Sequence, residues 1–153
     1  MPDNDATARQ IVDSNVYMTL ATADASGRPW ASPVWYAAVD YRSFYWVSSP
    51  EAQHSRNILE RPEVSVVIFD SQVPEGEGQA VYLSATAEEL TGIELERGIE
   101  LFSEASRARG GEAWSAEDVK PPAEHRLYRA TASGHSILDK SVRGVDRRTP
   151  VEP

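Results

Sequence analysis

The chain has 153 residues, 41% of them hydrophobic and 25% charged, which suits one globular domain and excludes a disordered polymer. Its formal net charge of −9 argues against nucleic acid or an anionic membrane as the main partner. The absence of cysteine excludes disulfides and thiolate chemistry.

No basic segment followed by an apolar run opens the sequence, and no stretch is apolar for long enough to span a bilayer. We therefore expect a cytoplasmic protein with a single domain over residues 1–153. Residues 1–15 are expected to form an N-terminal helix or arm, with the helix starting near Asp5. Residues 140–153 are expected to form a C-terminal tail.

A β-hairpin is predicted next, from the strand Val16 to Ala23 and a second strand from Arg28 to Asp40. Between them Gly27 supplies the positive φ of a turn. Pro29 and Pro33 have no amide hydrogen to donate, so the second strand should lie at a sheet edge or carry a bulge.

The stretch from Ser43 to Asp70 is predicted to form a strand, a helix and another strand. Its first strand is the aromatic and β-branched run Phe44 to Val47. Ser49 is expected to cap the helix, with Pro50 at its first position, and Pro62 should end it.

This stretch also carries a candidate anion site. The hydroxyls of Ser48 and Ser49 precede a helix start, where free amides bear partial positive charge. One turn later, His54 and Arg56 can add donors, and a phosphate would fit. An ordinary capped helix with a solvated basic face explains the same residues equally well.

The remaining elements are mostly strands. The nearly continuous apolar run Val64 to Phe69 is expected to be buried on both sides. Gln79 to Leu90 is a further strand, Thr91 to Ala108 a helix, and His125 to Ser133 and His135 to Asp139 a last strand pair. Since strands dominate, we predict a mainly β protein: a β-barrel with flanking helices.

Other motifs are weak. The three histidines are far apart in the sequence, so no metal site is expected. Dinucleotide-binding and P-loop fingerprints are absent from the sequence, as is a nucleophile elbow. The four tryptophans are expected in the core or in an interface.

The order of several motifs resembles the pyridoxamine 5′-phosphate oxidase-like family, the FMN-binding split barrels. The matching segments are Gly27-Arg28-Pro29, Pro33 to Tyr36, Val47-Ser48-Ser49, Arg61 to Phe69, and the ending Arg126 to Asp139. The resemblance implies a split β-barrel with six or so antiparallel strands.

The resemblance also implies that FMN lies along the second and third strands and the helix between strands. Gln53 and His54 match positions where many members carry an Arg-Lys pair, and Gln79 lies near the position of a glutamine that contacts the flavin ring. Together with the anion site, the candidate cofactor-binding residues are Ser32, Pro33, Val34, Trp35, Val47, Ser48, Ser49, Gln53, His54, Arg56 and Gln79.

In function, the resemblance implies noncovalent FMN and electron transfer to or from a small molecule, with FMN carrying the redox chemistry. A deazaflavin hydride carrier on the same fold is an alternative, and a flavin- or haem-binding module without turnover is another. Members are usually homodimers with flavin between the subunits. Arg143, Arg147 and Arg148 could then reach the partner's site, or form a solvated tail.

Pyridoxamine 5′-phosphate oxidase activity itself is not expected. In the oxidases a lysine at the end of the second strand holds the substrate's phosphate, and the matching position here is Ala37. Leu101, Ala105 and Arg109 stand where the oxidases place a tyrosine, an arginine and a serine. The substrate is therefore expected to be neutral or weakly charged.

Overall fold

The computed structural model describes residues 3–140 and 147–153, and within them eight strands form one antiparallel sheet flanked by three helices. The strands are β1 (Tyr17–Ala23), β2 (Pro29–Trp35), β3 (Ala37–Val39), β4 (Ser43–Ser48), β5 (Glu63–Phe69), β6 (Ala80–Glu89), β7 (Arg126–Asp139) and β8 (Arg147–Pro150). The helices are α1 (Asn4–Ser14), α2 (Gln53–Glu60) and α3 (Gly92–Ala108), and a short 3-10 helix spans Ala116–Val119. The strand order is β2-β1-β5-β6-β7-β4-β3, with β8 added to β7. The sheet curls until β2 contacts β4, which gives the split barrel.

The predicted hairpin is confirmed as β1 and β2. The turn is closed by the carboxylate of Asp24, which accepts from the amide of Arg28 at 2.9 Å, and Gly27 has the expected positive φ of 88°. β2 lies at the end of the strand order, as its prolines predict. The predicted second strand is interrupted at Tyr36. The amide of Tyr36 donates to the carbonyl of Val16, and its hydroxyl donates to the carbonyl of Val12 at 2.5 Å.

The larger of two hydrophobic cores fills the barrel and is closed by α1 and α2. The expectation that the fifth strand is buried on both sides is wrong. Only Val64, Val66 and Ile68 point into the core, whereas Ser65 and Phe69 are exposed. The antiparallel sheet has one face in the core and one face outward, so an apolar residue on β5 is buried only at alternate positions.

The second core lies outside the barrel, where α3 packs over β3, β4 and the start of β7. Gly98 permits this close approach, because a Cβ at that position would lie 2.9 Å from the side chain of Leu90 and 3.2 Å from the ring of Tyr45. Two apolar side chains of α3, Ile93 and Leu101, are exposed and do not face this core.

The other half of the outer face, over β2, β1, β5 and β6, carries no helix among the described residues. We call it the open face. Ten of its outward side chains are uncharged: Tyr17, Thr19, Ala21, Ala31, Pro33, Ser65, Val67, Phe69, Tyr82 and Ser84. Glu63, at the start of β5, is exposed on the same face. Tyr17 and Phe69 are about half exposed, at 58% and 48%.

The C-terminal part differs from the prediction in two ways. The expected pair of strands broken at Gly134 is one continuous strand, β7, with a register shift opposite Ser84 and Ala85. The expected tail contributes β8, in which the guanidinium of Arg148 lies 3.6 Å from the ring centroid of Tyr82. Arg143 lies outside the described residues.

None of the helices among the described residues combines the length and the apolar character needed to cross a membrane.

Candidate functional site

The helix of the candidate anion site begins three residues later than predicted. Ser49 does not cap it: the N-cap is Ala52, which makes no side-chain capping bond. The amide of Ala52 instead donates to the carbonyl of Ser49 at 3.2 Å, and the Ser49 hydroxyl accepts from the amide of Glu51 at 3.1 Å. Serine and proline at the first two positions favour such a β-turn, which competes with the helix start.

This turn leaves the first amides of α2 without a side-chain cap at the end of β4. Uncapped amides at a helix N-terminus carry partial positive charge and bind anions. The predicted end of the helix ahead of Pro62 is confirmed, since α2 ends at Glu60.

His54 joins two strands through its ring. Its Nε2 lies 2.7 Å from the hydroxyl of Ser48 on β4, and its Nδ1 lies 3.2 Å from the hydroxyl of Ser32 on β2. Burial lowers the pKa of His54 below its usual 6.5, so the imidazole is neutral at neutral pH. A neutral ring donates one hydrogen bond and accepts one, which the two hydroxyls satisfy.

Two other candidates of α2 point elsewhere. Arg56 is exposed and lies two residues from His54, which is about 200° around a helix. The side-chain amide of Gln53 donates to the side-chain oxygen of Asn57 at 2.7 Å. The side-chain amide of Asn57 in turn donates to the Thr22 hydroxyl at 3.0 Å. The structure therefore groups His54 with serine hydroxyls and separates it from Arg56.

The strand candidates divide between the two faces of the sheet. Val34 is buried in the barrel core, whereas Trp35 and Val47 pack on the outer side with α3. Pro33 is exposed on the open face. Gln79 precedes β6, which lies three strands from β2 in the sheet. The spacing of neighbouring strands therefore puts Gln79 roughly 14 Å from β2. Its buried Oε1 has no hydrogen-bond partner among the described residues.

Trp35 and Val47 line a cleft of about 310 Å³ between the sheet and α3, which we call the aromatic cleft. The other lining residues are Phe102, Ser106, Gly111, Glu112, Trp114 and His125. Sequence reasoning missed these six, because they come from α3, the loop after it and the residue before β7. Only the tryptophan in the loop and the helical spacing of Phe102 signalled them.

Arg109 holds one wall of the aromatic cleft. Its guanidinium carbon lies 5.1 Å from the ring centroids of both Trp35 and Tyr36. It donates to the carbonyl of Tyr36 at 2.5 Å and also to the carbonyl of Asn15. These contacts fix Trp35 and leave the guanidinium engaged rather than available to an anion.

The sequence profile described as pyridoxamine 5′-phosphate oxidase matches residues 5–134. None of the curated proteins compared with the chain matches it significantly.

Solved structures share the fold. A haem-binding protein from Mycobacterium smegmatis matches with a TM-score of 0.72 and 24% identity, over 98% of this chain and 58% of that one. HutZ, a haem storage protein from Vibrio cholerae, matches with a TM-score of 0.64 and 17% identity, over 88% of this chain and 94% of that one. HupZ from Group A Streptococcus matches with a TM-score of 0.63 and 15% identity, over 92% of this chain and 96% of that one. This chain thus spans little more than half of the Mycobacterium protein, and identities this low establish a common fold only.

Proposed function

Because this chain belongs to the pyridoxamine 5′-phosphate oxidase family, we propose that it binds FMN noncovalently and acts as a flavin-dependent oxidoreductase on a small molecule. The observation that carries the proposal is the uncapped start of α2, next to the hydroxyls of Ser48 and Ser49. Ser48 directly follows Val47, which lines the aromatic cleft. A helix N-terminus beside hydroxyls is a phosphate site.

The donors here fit a phosphate held by hydroxyls and amides rather than by cations. His54 is neutral and orients the Ser48 hydroxyl through its 2.7 Å hydrogen bond. Ser32 fixes the opposite side of the same ring. When bound, FMN supplies hydride or electron transfer, and the protein supplies binding and orientation.

The positions of the strand residues favour the outer side of the barrel for the rest of the cofactor. Trp35 and Val47 lie where β2 and β4 meet the aromatic cleft, so this cleft is the pocket for the second reactant beside the flavin. Trp35 is fixed by Arg109 and is therefore a rigid wall.

Titration of the apoprotein with FMN and riboflavin tests the proposal, because the two differ only in the phosphate. We expect FMN to bind at least about tenfold more tightly, as charge-assisted hydrogen bonds predict. Equal affinities would contradict a phosphate site, and tighter binding of FAD or a deazaflavin would contradict the choice of FMN.

The proposal excludes pyridoxamine 5′-phosphate oxidase activity proper. Ala37, at the position of the oxidases' strand lysine, is fully buried under α3. Arg109, the remaining candidate for an anion, is committed to Tyr36 and Asn15. A substrate dianion would therefore lack charged partners. Turnover of pyridoxamine or pyridoxine phosphate at about 1 per second or faster would overturn this conclusion.

A second candidate function is binding of haem without turnover. One observation favours it: His125 lines the aromatic cleft and contacts Trp114 edge-on, with ring centroids 6.1 Å apart. An imidazole at an apolar, aromatic-walled cleft can serve as an axial ligand. Two proteins of the same fold are described as haem-binding or haem-storing. Haemin titration of the wild type and of His125→Ala tests it, since an unchanged Soret band in the variant would rule out His125 as ligand.

A further inference from the structure

Ser32, His54 and Ser48 form a chain of hydrogen bonds that crosses the split of the barrel, from β2 through α2 to β4. We call it the serine–histidine chain. Ser32 is buried, with 9% of its surface exposed, whereas His54 and Ser48 are half-buried. Ser48 is therefore the end of the chain that a ligand can reach.

The burial of Ser32 sets the direction of these hydrogen bonds. In the described part of the chain the Ser32 hydroxyl has one partner, the Nδ1 atom of His54. Ser32 donates to this atom, because a buried hydroxyl hydrogen without an acceptor loses its hydration and gains nothing in return. Burial also lowers the pKa of His54, so the ring is neutral and its one proton lies on Nε2.

The same direction continues to Ser48. The Nε2–H group of His54 donates to the Ser48 oxygen at 2.7 Å, which leaves the hydrogen of the Ser48 hydroxyl without an acceptor among the described residues. This hydrogen lies beside the uncapped amides of α2, which are donors as well. Donors in series polarise one another, so an anion completes the set.

Charged side chains contribute little to this end of the barrel. β2 and β4 contain no charged residue. Arg126, which is paired with Ser48 across the sheet, donates to the carbonyls of Ala123 and His125, each at 2.6 Å. Preference for an anion therefore depends on where the hydrogens point rather than on a nearby cation.

We propose that Ser32 is a positioning residue of the phosphate site. It fixes the ring proton of His54 on Nε2 and thereby aims the Ser48 hydrogen at the phosphate, which Ser32 itself does not touch. The arrangement is already present in the free protein. The inference deepens the proposed function, on which it rests, because it makes Ser32 a determinant of the preference for FMN over riboflavin.

Nitrogen-15 NMR of the histidine rings tests the direction of the serine–histidine chain. The spectra are recorded at pH 8 for the free protein and for its FMN complex, and the spectrum of His54→Gln identifies the His54 signals. We expect a protonated Nε2 and an unprotonated Nδ1 in both states. A proton on Nδ1 in either state would overturn the inference.

Variants of Ser32 test its effect on the ligand. Ser32→Ala should let the His54 proton occupy both nitrogens and should reduce the preference for FMN over riboflavin about threefold or more. Ser32→Thr keeps a hydroxyl and should restore both the single ring form and the preference. Riboflavin should bind all variants as it binds the wild type, which also shows that they are folded.

Ser43→Ala is the matched control, because it removes a half-buried hydroxyl from the opposite end of β4. An unchanged preference in Ser32→Ala, or an equal loss in Ser43→Ala, would contradict the role of Ser32. The two proposals fail separately. A wild type that prefers FMN but carries the His54 proton on Nδ1 removes this inference alone. A proton on Nε2 with equal affinities for FMN and riboflavin removes the cofactor proposal alone.

Discussion

At the scale of single residues, we expect alanine substitutions of Ser48 and Arg56 to weaken FMN binding to different extents. Ser48→Ala removes a half-buried hydroxyl at the end of β4, so we expect FMN binding to weaken by about 1.5–3 kcal/mol. Arg56→Ala removes an exposed cation that points away from His54, so we expect a loss below about 1 kcal/mol. Fluorescence titration with FMN measures both. A larger loss in the arginine variant would restore the cationic phosphate site that the sequence alone predicts.

His54 should also make the stability of the protein depend on pH. Burial lowers its pKa in the folded state, so the unfolded chain takes up the proton first as the pH falls below about 6.5. Its contribution to the free energy of unfolding is therefore largest above that pH and declines below it. His54→Gln should flatten this part of the profile in urea denaturation at a series of pH values. A wild type that gains stability on acidification relative to the variant would contradict a neutral, buried imidazole.

At the scale of elements, the uncapped start of α2 can be tested by adding a cap. Ala52 already has extended N-cap geometry, with φ −60° and ψ 145°. Ala52→Ser and Ala52→Asp should each raise the free energy of unfolding by about 1 kcal/mol. The aspartate also places a negative charge where the phosphate is proposed, so it should abolish most FMN binding while serine reduces it less. Unchanged FMN affinity in Ala52→Asp would place the phosphate elsewhere.

The sequence predicts those features that depend on neighbours along the chain. The positive φ of Gly27, the edge position of β2 and the end of α2 before Pro62 follow from local stereochemistry and are confirmed. The start of α2 was wrong because two local structures compete for Ser49 and Pro50, and the β-turn forms.

Features that depend on distant segments were missed or wrong. The apolar sequence of β5 does not show what covers each face of the strand, so the prediction that its outward residues are buried is wrong. The aromatic cleft combines Trp35, Phe102 and His125, which are separated by long stretches of sequence and meet only through packing of α3 on the sheet. Orientation likewise decides that His54 and Arg56, close in sequence, point apart.

At the scale of the whole molecule, the open face predicts a homodimer. It combines exposed aromatic side chains with ten uncharged outward residues, and its acidic Glu63 lies at the start of β5, on a chain of net charge −9. Uncovered apolar sheet surfaces of this kind mark interfaces. In such a dimer Gln79, which is far from Trp35 within one chain, would be free to serve the partner's flavin.

Ala21→Lys tests the dimer, because Ala21 is exposed at the centre of the open face, paired with Ala31 and Ser65. A lysine there would have to lose its water in the apolar interface, so we expect the variant to be monomeric. Ser71→Lys, in an exposed loop, adds the same charge as a control. Light scattering gives the outcome directly: a monomeric wild type would contradict the interface, as would a dimeric Ala21→Lys.

The cofactor itself is the central claim, and competition between the two candidates tests it most directly. The apoprotein is incubated with equal amounts of FMN and haemin and separated from free ligand. Its absorption spectrum is then recorded, and the material released on denaturation is weighed by mass spectrometry. We predict the bands of an oxidised flavin and release of FMN at one molecule per chain. A Soret band with haem released and no flavin would contradict the proposed function.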